Sequence, residues 1–247
     1  MKKEFLLLLL LIPINIFAQI LNIEQERLTA DTGWSGEAKV SLQIIKNTNT
    51  VTDGAGRIHI QYKTKQNLYL ILGEYSLIKT SNTDLVNRGF EHLRYNYKIN
   101  DWLIAEAFTQ AQFNKLLKVK FRGLVGAGTR FKIIGSDNFN LFVASLYMYE
   151  YEELEESSEI HRDHRLSNYL SVSFKLSKTL KLINTSYFQP KFNDFSDYRV
   201  STQANLKFVI SKRLSYYLTY DLLYDTKPPE GIVSTTYSLT NGLSFSF

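Results

Sequence analysis

Hydrophobic and polar positions alternate along most of this chain, and the pattern is clearest at its end. From Val233 to Phe247 the odd positions read Val233, Thr235, Tyr237, Leu239, Asn241, Leu243, Phe245 and Phe247, while the even ones are Ser234, Thr236, Ser238, Thr240, Gly242, Ser244 and Ser246. Side chains alternate across a strand, so this spacing predicts one apolar, aromatic face and one small, polar face. The same period recurs in Leu214, Tyr216, Leu218, Tyr220, Leu222 and Tyr224, and again in Val200, Thr202, Ala204, Leu206, Phe208 and Ile210. From Glu37 onward the period of two predicts strands at 37–46, 56–64, 68–78, 87–98, 102–113, 117–133, 139–150, 165–176, 179–189, 198–210, 214–225 and 233–247. The two faces are least distinct in 68–78 and 179–189. Most of these segments reach nine or so residues, long for soluble sheets and suited to a tilted bilayer crossing.

The connections alternate as well. Tight ones fall at Thr64–Asn67, Asn100–Asp101, Gly135–Asn138, Ser177–Lys178 and Ser211–Arg213. Between them come longer ones, at Asn47–Ala55, Lys79–Val86, Tyr151–His164, Pro190–Asp197 and Thr226–Ile232, with Asn114–Leu116 the one short member of that series. Short turns at one end and long loops at the other mark a membrane barrel, and a soluble sandwich has no reason to keep that parity. Pro190, Pro228 and Pro229 all fall in the long connections, where no ladder hydrogen bond is lost. The expected fold is all-β: one antiparallel transmembrane β-barrel of about twelve strands, with both termini on the short-turn side.

The N-terminus carries Lys2 and Lys3, an apolar run from Phe5 to Ile12, and Ala18 before Gln19. That order predicts a secretory signal peptide over 1–18, cut between Ala18 and Gln19, followed by a periplasmic lead-in over 19–35 and the barrel over 36–247. Elsewhere no stretch approaches the apolar length of a membrane helix. The last strand, ending on Phe247, resembles the C-terminal signature of bacterial outer-membrane barrels. Tyr237, Leu239, Leu243, Phe245 and Phe247 are then the residues read by the barrel-assembly machinery, and the expected location is the outer membrane, among its lipids. Tyr and Phe occur 16 times each, an aromatic excess suited to strands and interfacial girdles. The absence of cysteine excludes disulfides, lipid attachment at a cysteine and thiol chemistry. Loss of Lys2, Lys3 and Glu4 takes the formal charge from +5 to +4. The basic residues are scattered rather than clustered, against a nucleic-acid partner.

Several short motifs, in order, carry a family resemblance. They are Gly33-Trp34-Ser35-Gly36, Leu93-Arg94-Tyr95-Asn96-Tyr97, Ile104-Ala105-Glu106-Ala107-Phe108, Gly123-Leu124-Val125-Gly126-Ala127-Gly128, and the ending from Pro229-Glu230-Gly231 through Leu243-Ser244-Phe245. With them the chain resembles, over nearly all of its mature length, a family of salt-induced outer-membrane proteins of unknown function (the domain-of-unknown-function 481 type). A Gly-Asn-Thr turn common in that family appears here as Lys46-Asn47-Thr48. The resemblance implies a barrel of this kind and brings no catalytic residues with it.

Candidate chemistry is sparse. Gly123, Gly126 and Gly128 lack the Lys-Ser/Thr and the helix of a phosphate loop, and glycine in a strand marks a bend or a close approach. His164 and Ser167 invite comparison with outer-membrane phospholipases, whose His-x-Ser-Asn puts base and nucleophile on one strand face. Here the spacing is one residue longer, so the two side chains face opposite ways and His164 cannot activate Ser167. The acidic run Glu150, Glu152, Glu153, Glu155, Glu156, Glu159 and Asp163 is expected as a hydrated loop without a metal pattern. No cofactor is implied.

With the apolar row turned to lipid, the other row faces the lumen. It holds Arg57, Lys63, Arg94, Lys120, Arg122, Arg130, Lys132 and Lys207, with Glu106 and Asp221 as counter-charges, and further His59, Lys118, Lys175 and Asp225. Charges on the lipid face would cost several kcal/mol near the midplane, about 2–4 for Arg or Lys, which forces them inward. Rings of Arg and Lys attract anions, so the expected function is a non-enzymatic envelope barrel with a basic polar lumen, either structural or a narrow channel for small anionic solutes. About twelve strands lies between filled small barrels and open porins, and the balance tips toward a filled or very narrow lumen. Two alternatives remain: a membrane-embedded lipid hydrolase, and a soluble periplasmic calyx with its apolar row inward.

Overall fold

A computed structural model describes residues 32–46, 50–80, 83–155 and 160–247. The expected signal peptide and most of the lead-in lie outside them. Twelve strands form one closed antiparallel barrel in chain order, with the last strand hydrogen-bonded to the first. They are β1 Gly33–Lys46, β2 Thr50–Lys63, β3 Asn67–Thr80, β4 Thr83–Lys98, β5 Leu103–Asn114 and β6 Val119–Gly135. The second half comprises β7 Phe139–Leu154, β8 Ile160–Lys175, β9 Leu180–Pro190, β10 Tyr198–Val209, β11 Leu214–Asp225 and β12 Thr235–Ser246. A single 3-10 turn, Lys115–Leu117, joins β5 to β6.

Four of the short turns share one device. Thr64 Oγ1, Asn100 Oδ1, Ser136 Oγ and Ser211 Oγ each accept a backbone N–H three residues on, from Asn67 (2.9 Å), Leu103 (2.8 Å), Phe139 (3.0 Å) and Leu214 (3.1 Å). A small side chain that bonds its own backbone replaces a ladder partner and closes the turn. At the other end the strands run further than the alternation predicts, and β2 begins at Thr50 rather than 56. The expected loop Tyr151–His164 is mostly strand, because β7 continues to Leu154 and β8 starts at Ile160. The acidic run hides this: its own period of two sends Glu150 and Glu152 inward while Tyr149, Tyr151 and Glu153 stay on the outer side.

The outer wall is apolar. Ile58, Ile71, Leu93, Val125, Val143, Leu170, Leu239 and Leu243 are all exposed there. Aromatic rings line its short-turn end, Trp34 against Tyr62 at 5.0 Å and Tyr69 against Tyr95 at 5.0 Å. Toward the loop end, Tyr198 touches Phe188 at 5.5 Å and Tyr224 at 6.0 Å. Two aromatic girdles around an apolar band are what a bilayer demands of a barrel wall. Tyr237, Leu239, Leu243, Phe245 and Phe247 all sit on this face. The Phe247 ring packs so closely over Gly36 that a Cβ there would lie 2.4 Å from it. Glu91 also projects outward, exposed, level with Gly73 and Ala111.

Candidate functional site

The lumen is where this barrel concentrates its charge. Inward positions of β1 to β8, β10 and β11 bring cations and carboxylates face to face, several as direct cross-strand partners. Arg57 lies opposite Glu74, Arg122 opposite Glu152, and Arg199 opposite Asp225. Opposite charges in register stabilise adjacent strands, and here they also remove charge from an interior short of water.

Each of five carboxylates organises its own set. Glu106 accepts from Arg94 Nη1 at 2.8 Å, from the Tyr169 hydroxyl at 2.6 Å and from Asn96, with Arg130 at 3.8 Å. The Arg130 guanidinium lies 3.6 Å from the centre of the Phe142 ring. Glu150 receives two bonds from Arg199 Nη1, at 2.7 and 2.9 Å, with Arg165 at 3.6 Å and Arg122 at 3.9 Å. Arg199 donates also to Asp225 at 2.8 Å. Glu74 pairs with Arg57 and with Arg88 at 3.6 Å. Glu37 joins Lys39 at 3.3 Å to Lys207, and Ser244 at 2.9 Å closes that set. Asp221 takes hydrogen bonds from Gln203 and from Ser238 at 3.3 Å.

Of the cations expected in the lumen, Arg57, Arg94, Arg122, Arg130 and Lys207 lie in these sets. Lys63 is half-buried at the short-turn rim. Three others do not reach the interior. Lys120 is exposed and pairs with Glu153 at 3.3 Å on the outer side, because the β6–β7 register shifts between Val119 and Phe121. Lys132 and Lys175 stand exposed near the short-turn end, the former at a second shift between Lys132 and Ile134. A bulge turns the chain by one residue, and counting by twos cannot foresee it. His164 faces outward and Ser167 is buried inside, as three-residue spacing requires.

Sequence reasoning missed Arg88, Arg165 and Arg199, and with them Glu37, Glu74, Glu150 and Glu152. The signal for Arg199 was present: the polar row Ser201, Gln203, Asn205, Lys207 extends back to it by one step of two. The carboxylates matter more, because they turn a basic lumen into a network of paired charges.

Leu70, Leu72, Leu146 and Met148 fill the space between the sets, each fully buried. A cavity of about 90 Å³ lies on the loop side of Phe108, walled by Arg94, Arg122, Arg199, Glu150 and Gln110 together with apolar Leu124, Met148 and Leu223. Among the described residues no cluster has the make-up of a metal site.

The β9–β10 loop is tied down at the loop end of this network. Asp197 accepts from Arg165 at 3.0 Å and pairs with Lys191 at 2.8 Å, and Lys191 also reaches Asp163 at 3.0 Å. Burial pushes the Asp197 carboxyl up, but the Lys191 hydrogen bond and the charges of Arg165 and Lys191 outweigh it and hold the group below its ordinary 3.8. Burial lowers the Lys191 ammonium, while its bonds to Asp197 and Asp163 raise it, leaving it above its ordinary 10.5.

Comparison with known proteins places the fold. The family described as "Protein of unknown function, DUF481" matches residues 38–247. A structure titled NanC porin superposes with a TM-score of 0.52 at 13% identity, covering 86% of this chain and 98% of that one. A structure titled KdgM porin gives 0.49 at 12% identity, covering 87% and 99%. No curated protein matches. The likeness to NanC is one of fold.

Proposed function

The chain belongs to the DUF481 family of proteins of unknown function, and from that premise we propose that it is a narrow, low-conductance channel of the outer membrane. The observation that carries this reading is the cavity between the charged sets. Beside apolar Leu124, Met148 and Leu223 its wall presents three guanidiniums, from Arg94, Arg122 and Arg199, paired also with Glu106, Glu152 and Asp225, with Glu150 and glutamine amides between them. A barrel that serves only as a rivet is better filled with apolar side chains, since buried ion pairs are often no more stable than packed hydrophobes. Guanidiniums facing a water-sized space favour small anions. The porin title of the NanC structure is compatible with this reading, which rests on the lumen. No step of it is enzymatic.

Placement follows from the same reading. The apolar wall and its girdles contact outer-membrane lipid, residues 1–18 are removed on export, and the row ending at Phe247 is the assembly signal. The test is the reversal potential of the protein in a planar bilayer under a potassium chloride gradient. Small anion-preferring currents are expected, and Arg122→Gln lowers the preference. Unchanged selectivity in that variant refutes the lumen route. Complete absence of conductance favours the second reading, a structural barrel, for which the packed Leu70, Leu72, Leu146 and Met148 speak.

A further inference from the structure

On the outer wall, away from the lumen, β7 and β8 build a second polar site. Arg162 is exposed beside its cross-strand partner Tyr151, with the guanidinium 5.4 Å from that ring. One step of two further along β8, His164 sits between Tyr149, at 5.3 Å, and Tyr147, at 5.9 Å. The Tyr147 hydroxyl is hydrogen-bonded to His164 Nδ1, which leaves Nε2 to a ligand. Phe192 closes the far side. Its backbone N–H donates to the His164 carbonyl at 2.9 Å and its ring lies 5.9 Å from Tyr147. Tyr147, Arg162, Asp163, His164, Phe192 and Asn193 enclose a cleft of about 360 Å³.

Among the described residues, two carboxylates on these strands, Glu153 and the cleft-lining Asp163, are engaged elsewhere. Glu153 accepts from Tyr151 at 2.6 Å and pairs with Lys120, while Asp163 turns to Lys191. An arginine toward the end of a lipid-facing wall costs little at the membrane interface, and its planar fork fits phosphate oxygens in a bidentate manner.

A second, apolar depression adjoins this cleft. Ala107 and Ala127 are cross-strand partners on the same wall, flanked in register by Tyr95 on one side and Tyr147 on the other. The small pair leaves a trough of about 720 Å³ between the Leu93–Tyr95 ridge and the Val125–Tyr147 ridge. Tyr147 lines both spaces. A cleft that carries Arg162 and His164 and continues into an apolar trough has the shape of an amphiphile.

We propose that this wall holds one phosphorylated lipid of the outer leaflet, its phosphate between Arg162 and His164 and an acyl chain along the Ala107–Ala127 trough. Tyr147 separates the two parts, its ring against the chain and its hydroxyl fixing the histidine. The site is independent of the channel reading, because none of its side chains faces the lumen.

The experiment is native mass spectrometry of the full barrel, folded in nanodiscs of neutral lipid doped with lipid A or with its dephosphorylated form. The unheated gel mobility verifies folding of every variant. Wild type is expected to retain one lipid A per chain. Loss of a charge-assisted contact in Arg162→Gln cuts retention about tenfold or more, and Arg162→Lys recovers part of it. Filling the trough with Ala127→Leu also weakens retention. Equal retention of the dephosphorylated lipid, or undiminished retention by Arg162→Gln, overturns the proposal. Competition by inorganic phosphate alone, with Ala127→Leu unchanged, overturns the lipid as the occupant.

Discussion

Glu150→Gln is the most informative single change in the lumen. Its carboxylate is fully buried and faces three guanidiniums, at 2.7, 3.6 and 3.9 Å. The amide keeps the shape and one acceptor oxygen but removes the charge. Each contact near 4 Å is worth about 4 kcal/mol of Coulomb energy at an effective dielectric of ~20, and breaking a buried pair typically costs about 3–5 kcal/mol net. Two compensations remain: Arg199 keeps Asp225 at 2.8 Å and Arg165 keeps Asp197 at 3.0 Å. They place the expected loss at the lower end, about 3 kcal/mol. The assay is urea unfolding in lipid vesicles, followed by the gel mobility of unheated samples. Neutralising the exposed Lys98–Asp101 pair serves as the control and should leave the midpoint where it was. If Glu150→Gln costs less than about 1 kcal/mol, the network is hydrated rather than packed and the ledger for the lumen is wrong.

Other outcomes follow from the wall, the strand contacts and the loop. Glu91→Leu removes a carboxylate from the lipid-facing wall, level with Gly73 and Ala111, and should raise stability by up to about 2 kcal/mol in the same urea assay. Gly128→Ala should destabilise the β6–β7 pairing by about 1–3 kcal/mol, since the added carbon would lie 2.3 Å from the Ser145 carbonyl oxygen. The β9–β10 loop should respond to pH at both extremes. Asp197 is held below its ordinary 3.8, so its contribution is present above that value and is lost as pH falls through the depressed one. Lys191 is held above its ordinary 10.5, so its contribution is present below that value and is lost as pH rises through the raised one. The protection factor of the Phe192 amide, which donates to His164, should therefore be high in the window between and fall outside it.

The barrel itself was legible because a lipid-facing wall imposes a strict period of two, and turn parity counts the strands independently. Strand ends at the loop side were not, since charges there continue the alternation: Glu150 and Glu152 look like solvated loop until their inward parity is noticed. β3 was hard to register for a different reason. Its inward face carries Leu70 and Leu72 while its outward face carries Tyr69 and Ile71, so both sides are apolar. Much of the cation set could be placed by alternation alone, whereas Lys120 was misplaced by a register shift that no periodicity records. Glu74 escaped notice because its cationic partners, Arg57 and Arg88, lie on other strands. Pairing across strands is a property of register, which a single strand's sequence does not carry.

The most direct test of a membrane barrel with its apolar wall outward is fractionation of the envelope, followed by electrophoresis of unheated and boiled samples. Recovery with the outer membrane and a heat-dependent change in mobility are the predicted result. A protein released in soluble form, migrating identically before and after boiling, would mean the apolar rows face a ligand-filled interior and the charges face water.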